Sequence, residues 1–239
     1  MSSSQPAAAT RPERRDPAAL ARWALVGLAG EALFTISWIV TGLLERPGYR
    51  PLRDDISDMG ALTAPHPWIL LVPGALAGAA LIGFALWGLR PALAGAGRAG
   101  RTGVWLAALS AIQGISDAVF RSDCRAADGC TQAQTAVSWH GQLHAAIGFA
   151  SIIVLVLTPF VLARRFRRLP EWRDLAAPSV VVGAVLVAGL FAVAAPQTAA
   201  VHGLIQRAMA LLGGAWGALL AIRLYRVGNP FDSKSPSGT

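Results

Sequence analysis

His140 and His144 stand four residues apart in the stretch Trp-His-Gly-Gln-Leu-His, 139–144. On a helix that spacing puts both imidazoles on one face, the arrangement from which a metal site or an acid/base pair is built. His202 precedes Gln206 and Arg207 by one helical turn, and His66 sits between Pro65 and Pro67. Asp54, Asp55 and Asp58 fall within Asp-Asp-Ile-Ser-Asp-Met-Gly, 54–60, and Asp117 lies one turn before Arg121. Two chemistries suit this set. In the first, His140 and His144 hold a divalent metal, joined by His202 or His66 and by Asp58 or Asp117, and the metal activates water. In the second, Asp58, Asp117, His140, His144 and His202 supply acids and bases, while Gln206 and Arg207 bind an anionic group of the substrate. A bland alternative gives the same side chains interfacial hydrogen bonds to loops and headgroups. The His-x-x-x-His pair lacks the intervening Glu of a zincin, and spacing fixes no third ligand.

The elements that must position these residues are apolar. The chain of 239 residues is 54% hydrophobic and only 14% charged, with a mean hydropathy of +0.49; an average soluble domain carries about 25% charge. Six windows are long and apolar enough for a membrane helix of ~20 residues. They run roughly over 23–44, 68–89, 104–119, 143–162, 176–194 and 203–222. The expected fold is all-α: a polytopic six-helix transmembrane bundle over 22–226. Tails at 1–21 and 227–239, rich in Ser, Ala, Pro, Gly and Arg, read as disordered. Arg14-Arg15 is not followed by a cleavage site, so the first helix is expected to be retained.

Charge sets the expected orientation. Most of the 21 Lys and Arg residues, including Arg14, Arg15, Arg98, Arg101, Arg164, Arg165, Arg167 and Arg168, flank one set of helix ends. By the positive-inside asymmetry both termini face the cytoplasm of a bacterial inner membrane. The basic clusters suit anionic lipid headgroups, and no aromatic interleaving points to nucleic acid. All four histidines and Asp54, Asp55, Asp58 and Asp117 then map to the outer boundary, where Asp54 and Asp55 read as solvated loop charges. The same side holds Cys124 and Cys130, bracketing an Asp128-Gly129 turn, which suits a disulfide. Trp38, Trp68, Trp105 and Trp139 fit interfacial anchors. Gly74-x-x-x-Gly78 marks close helix packing, within the bundle or as the face of a homo-oligomer. Glu31 and Gln113 lie deep in their spans, where polar groups call for a partner or a function. They are expected to hydrogen-bond each other, or Glu31 to contact substrate or relay protons.

Several spaced pieces are familiar together: Ile56-Ser57-Asp58-Met59-Gly60 after the first span, His66-Pro67-Trp68 opening the second, His140 opening the fourth, and Gly203 to Arg207 opening the sixth. The set resembles the prokaryotic membrane family catalogued as domain of unknown function 998, over about residues 22–226. Phe120-Arg121-Ser122-Asp123 departs from the Phe-Pro-x-Asp expected there. A more distant likeness is to Frag1-type six-helix proteins, linked to lipid-anchor remodelling. The resemblance implies a fold and signature positions, not a reaction. The expected function is an outward-facing polar pocket that binds or hydrolyses a lipid or other amphiphile. The alternatives are a small transporter or flippase working through Glu31 and Gln113, and a non-catalytic membrane partner subunit.

Overall fold

The computed structural model describes residues 16–94, 97–131 and 133–229, and regular structure there is helical throughout. Helix α1 spans Pro17–Leu43. Its start is set locally: the Asp16 side chain accepts the Ala18 N–H at 3.0 Å, and Pro17 supplies a ready-made helical φ. The helix thus begins before the expected Trp23, and residues 17–21, expected in a tail, belong to it. The tail expectations for 1–15 and 230–239 lie outside the described residues.

Helix α2, Trp68–Gly83, continues through a wider π turn, Phe84–Leu89, as far as Ala92. Beside this turn Trp23 of α1 stacks on Trp87 with ring centroids 5.2 Å apart. The third expected span, 104–119, differs from expectation. It starts earlier and is broken at Ala111 into α3, Gly97–Ser110, and α4, Ile112–Val119. Helices α5, Trp139–Phe166, α6, Ala176–Ala194, and α7, His202–Gly228, follow among the described residues. Among the described residues five segments are individually long and apolar enough to cross a membrane: Pro17–Leu43, Trp68–Ala92, Trp139–Phe166, Pro170–Ala194 and Pro196–Gly228. With the divided third pass they form a multi-pass helical bundle. Leu25, Leu76, Val181 and Phe191 lie exposed on its outside, which suits lipid and would be a liability in water.

Small residues fix the closest contact. A side chain at Gly78 would put its Cβ 2.7 Å from the Ala111 carbonyl oxygen, so α2 meets the broken pass backbone to backbone. Gly74 lies against Gly114 in the same seam. The Gly74–Gly78 face is therefore spent inside the chain.

The bundle packs densely at the end where the described chain starts and stops. There Leu20, Phe84, Leu89, Leu162, Phe166, Trp172, Leu220 and Leu224 form one buried cluster. Gly228 rests on Pro17 and Ala21, which brings the two ends of the described chain together. A smaller cluster of Trp38, Ile56, Met59 and Leu70 closes the opposite end, which carries the two long loops. Trp38 is 9% exposed and belongs to this cluster, so burial replaces the interfacial role expected of it. Trp68, Trp105 and Trp139 do lie exposed.

Candidate functional site: a cavity within the bundle

The loop end is tied by charged groups. The Cys124–Cys130 disulfide closes the ring expected from the sequence. Inside that ring Arg125 pairs with Asp128, and across the loops it pairs with Glu45 at 2.5 Å; both the Arg125 and Glu45 side chains are almost fully buried. Thr63 donates to Asp128 at 2.6 Å, joining the first loop to the second. Burial nonetheless pushes the Glu45 carboxyl above its ordinary range, against the opposing Arg125 charge.

The 54–60 stretch is not a solvated loop. Asp54 is 2% exposed, accepts the Arg50 N–H at 2.7 Å and pairs with Arg53 at 2.7 Å. Asp55 pairs with His202 Nε2 at 3.0 Å. Asp58, in the 3₁₀ turn Ser57–Gly60, is also buried, and its Oδ2 has no hydrogen-bond partner. Burial first, then the Asp55 and Asp54 charges, push its carboxyl up to about 7, opposed by the Ala126 N–H and by Arg125.

Arg207 is committed to the same loop. Its Nη1 donates to the carbonyls of Pro51 at 2.6 Å, Asp54 at 2.8 Å and Gly203 at 3.0 Å, and its Nη2 donates to the Tyr49 hydroxyl. The guanidinium also lies over the rings of Trp38 and Tyr49. Neither Asp58 nor Asp117 is its partner.

His140 and His144 do share a face of α5, and that face grips the exit of the third pass. His140 Nδ1 is 3.0 Å from the Arg121 carbonyl, and His144 Nδ1 is 3.0 Å from the Phe120 carbonyl. Asp123 accepts from both the backbone N–H and the hydroxyl of Ser138, the N-cap of α5, which holds its carboxyl below the usual range. Its carboxylate also lies 3.7 Å from His140 Nε2. The imidazoles thus hold two consecutive carbonyls through their Nδ1 atoms. Among the described residues no three His, Cys, Asp or Glu side chains gather as a metal-binding set.

Below this end the bundle is hollow. A cavity of about 320 Å³ runs from Ile56, Ser57 and Gly60 down toward Leu89 and Leu220. That volume is at the lower end of the ~300–1,000 Å³ typical of small-molecule sites. Its wall is mostly apolar, and the polar groups on it include Asp117, Arg121, His144 and Gln206 toward the loops and Glu31 and Gln113 deeper. Four of the expected site residues therefore share one space: Asp117, His144, Gln206 and Glu31. Asp58, His140, His202 and Arg207 stand outside its wall, in the loop scaffold. Glu31 does not bond Gln113; its carboxyl lies against Gly214 and Gly217 of α7, while the Gln113 amide lies against Gly148.

The mouth has a defined proton geometry. Asp117 Oδ1 lies 3.2 Å from His144 Nδ1, which also faces the Phe120 carbonyl. The Phe120 carbonyl can only accept, so Nδ1 carries the proton and the Nε2 of the neutral ring is left as the acceptor, while Asp117 Oδ1 stands beside Nδ1 with no hydrogen-bond partner of its own. No described residue engages Nε2. Arg121 is held on the Gly60 and Ala61 carbonyls at 2.8 and 2.7 Å and stacks over Trp68. Gln206 accepts the Ile56 N–H at 2.7 Å, which leaves its amide N–H groups open.

Sequence reasoning passed over Glu45, Tyr49, Asp123 and Asp128, the groups that brace this mouth. Ser138 ahead of the helical run was a readable N-cap signal; the long-range pairing of Glu45 with Arg125 left no local trace.

The family model described as "Protein of unknown function (DUF998)" matches residues 28–223. No curated protein and no solved structure matches the chain.

Proposed function

We propose that this chain, which belongs to the DUF998 family, binds an amphiphile inside the membrane. The observation that carries the reading is the cavity: one continuous, mostly apolar space whose polar groups at the loop end include an Asp117–His144 pair, Arg121 and Gln206. An apolar chain fits the wall of Leu70, Leu71, Leu81, Ile152 and Leu155, and a polar end reaches the mouth. There His144 Nε2 serves as base and then acid, Asp117 orients the imidazole, and the Gln206 amide holds an oxygen of the ligand. The reaction class this equips is hydrolysis of the ligand's polar end. The positive-inside asymmetry supports a cell-membrane orientation with both termini cytoplasmic and the mouth outward.

The test is capture followed by turnover. Purified protein is irradiated with a diazirine fatty acid and the adducts are mapped by mass spectrometry. The expected result is crosslinks on α2 and α5 residues of the cavity wall, weakened when a bulky side chain fills it, as in Ala77→Phe. Labelling confined to the outer faces of the helices would overturn the reading. Lipids that copurify are then incubated with wild type and with His144→Ala; hydrolysis by wild type alone assigns the chemistry.

Transport is the second reading, favoured by one observation: the same cavity carries Glu31 far below the mouth. Transfer of a labelled lipid between leaflets of proteoliposomes, lost in Glu31→Gln but kept in His144→Ala, would select it.

A further inference from the structure

We infer that the cavity holds a second station, at mid-membrane depth, that takes a lipophilic cation on the Glu31 carboxylate. Glu31 lies ~20 Å from either end of α1 at 1.5 Å per residue. Its carboxyl sits in a niche made by the absence of side chains on α7: Oε2 is 3.2 Å from where a Cβ on Gly214 would be, and Oε1 is closer still to that of Gly217. Among the described residues none hydrogen-bonds or pairs with this carboxyl, although a charge in the membrane calls for a partner. It borders the cavity, as do the residues Phe34, Phe84 and Trp216. An unpaired carboxylate in an apolar space with aromatic residues on its wall suits an alkylammonium group.

Among the described residues the surroundings supply the niche with no cation of the protein's own. The packed parts of α2, 68–89, and of α7, 208–222, contain no ionisable side chain. The other ionisable groups on the cavity wall are Asp117, Arg121 and His144, all toward the loop end, and Arg121 is occupied by two carbonyls. Charge balances by exchange: a protonated Glu31 releases one H⁺ as it accepts one cation, forming a carboxylate–ammonium pair. This inference rests on the cavity being a ligand chamber, and it is independent of the chemistry at His144.

The test uses decyltrimethylammonium, with decanol as the neutral control, added to the full-length protein in uncharged detergent at low buffer capacity. Proton release is read with a pH dye against protein-free micelles. The expected result is saturable release approaching one proton per chain, absent with decanol, and an affinity that strengthens as pH rises. Glu31→Gln, which keeps size and shape, abolishes the release and weakens binding by about tenfold or more, one such factor corresponding to ~1.4 kcal/mol. Gly217→Ala, which crowds the carboxyl, weakens it in the same direction. Equal release from wild type and Glu31→Gln, or none from wild type, overturns the inference. Diazirine labelling of the same samples separates the two readings: if cavity labelling persists without proton release, only the cation station fails. If both are lost, the chamber reading fails with it.

Discussion

The Asp117 carboxylate lies 3.2 Å from Nδ1 of His144, and the Phe120 carbonyl holds the same nitrogen at 3.0 Å. One residue comes from the third pass and the other from the fourth, so the pair forms only when both passes are seated. Its position on the wall of an apolar cavity separates it from the other histidines of the loop end. For an amphiphile that the protein turns over, His144→Ala lowers kcat by ~10²–10⁴-fold, the usual worth of a positioned acid/base. Asp117→Asn lowers it less and leaves capture of the diazirine lipid intact. Single-turnover assays beside crosslinking yields make the comparison.

Asp58 gives the loop end a pH response of known sign. Its carboxyl titrates near 3.8 when exposed and is raised to about 7 by burial and by Asp55 and Asp54. The folded state therefore binds the proton more tightly, and stability from this group falls as pH rises from about 4 to about 7 and then levels off. Asp58→Asn removes the penalty. The variant is expected to match wild type near pH 4 and to exceed it by about 1–3 kcal/mol at pH 8. Thermal unfolding in detergent across that range checks it.

Arg125 is the bolt between the loops. Truncation to Ala leaves Glu45 buried and unpaired, which costs ~3–5 kcal/mol. Adding Glu45→Gln to Arg125→Met recovers most of the loss, because the charge left behind, Asp128, is partly exposed rather than buried. Melting temperatures of the single and double variants, measured with the Cys124–Cys130 bond intact, test this.

Arg207→Lys removes a planar donor that reaches several acceptors at once. The loop over 49–56 loses its anchor, and amide exchange there is expected to quicken by ~10-fold or more, for a cost of about 1.5–3 kcal/mol. Exchange measured by mass spectrometry should show the change confined to that loop and the start of α7. Unchanged exchange in the loop would remove Arg207 from the scaffold.

Hydropathy and length were enough for the membrane bundle, and the cysteine pair for its disulfide, because both signals are local. The collection of His and Asp side chains at one end was also readable, since it follows from which loops lie on which side. How those residues partition was not. Arg207 and His202 look like site residues by type, yet one binds loop carbonyls and the other Asp55; the choice depends on the register of α7 against a loop some 150 residues earlier in the chain. Glu31 was recognisable as an exceptional buried carboxyl, but its neighbour was not, because apolar periodicity does not say which helix packs against which. The break at Ala111 was hidden for a similar reason: the carbonyl involved meets Gly78 on another helix, and no Gly or Pro at the break itself announced it.

That break also bears on how the chain enters its membrane. A span needs ~20 apolar residues to partition into hydrocarbon unaided. Ile112–Val119 is far too short, and Gly97–Ser110 carries Arg98 and Arg101. Neither half qualifies alone, whereas Trp68–Ala92 and Trp139–Phe166 on either side do. The third pass therefore leans on its neighbours more than the others do: it is held against Gly74 and Gly78 of α2 and by the α5 imidazoles, and it brings Asp117 to the cavity wall.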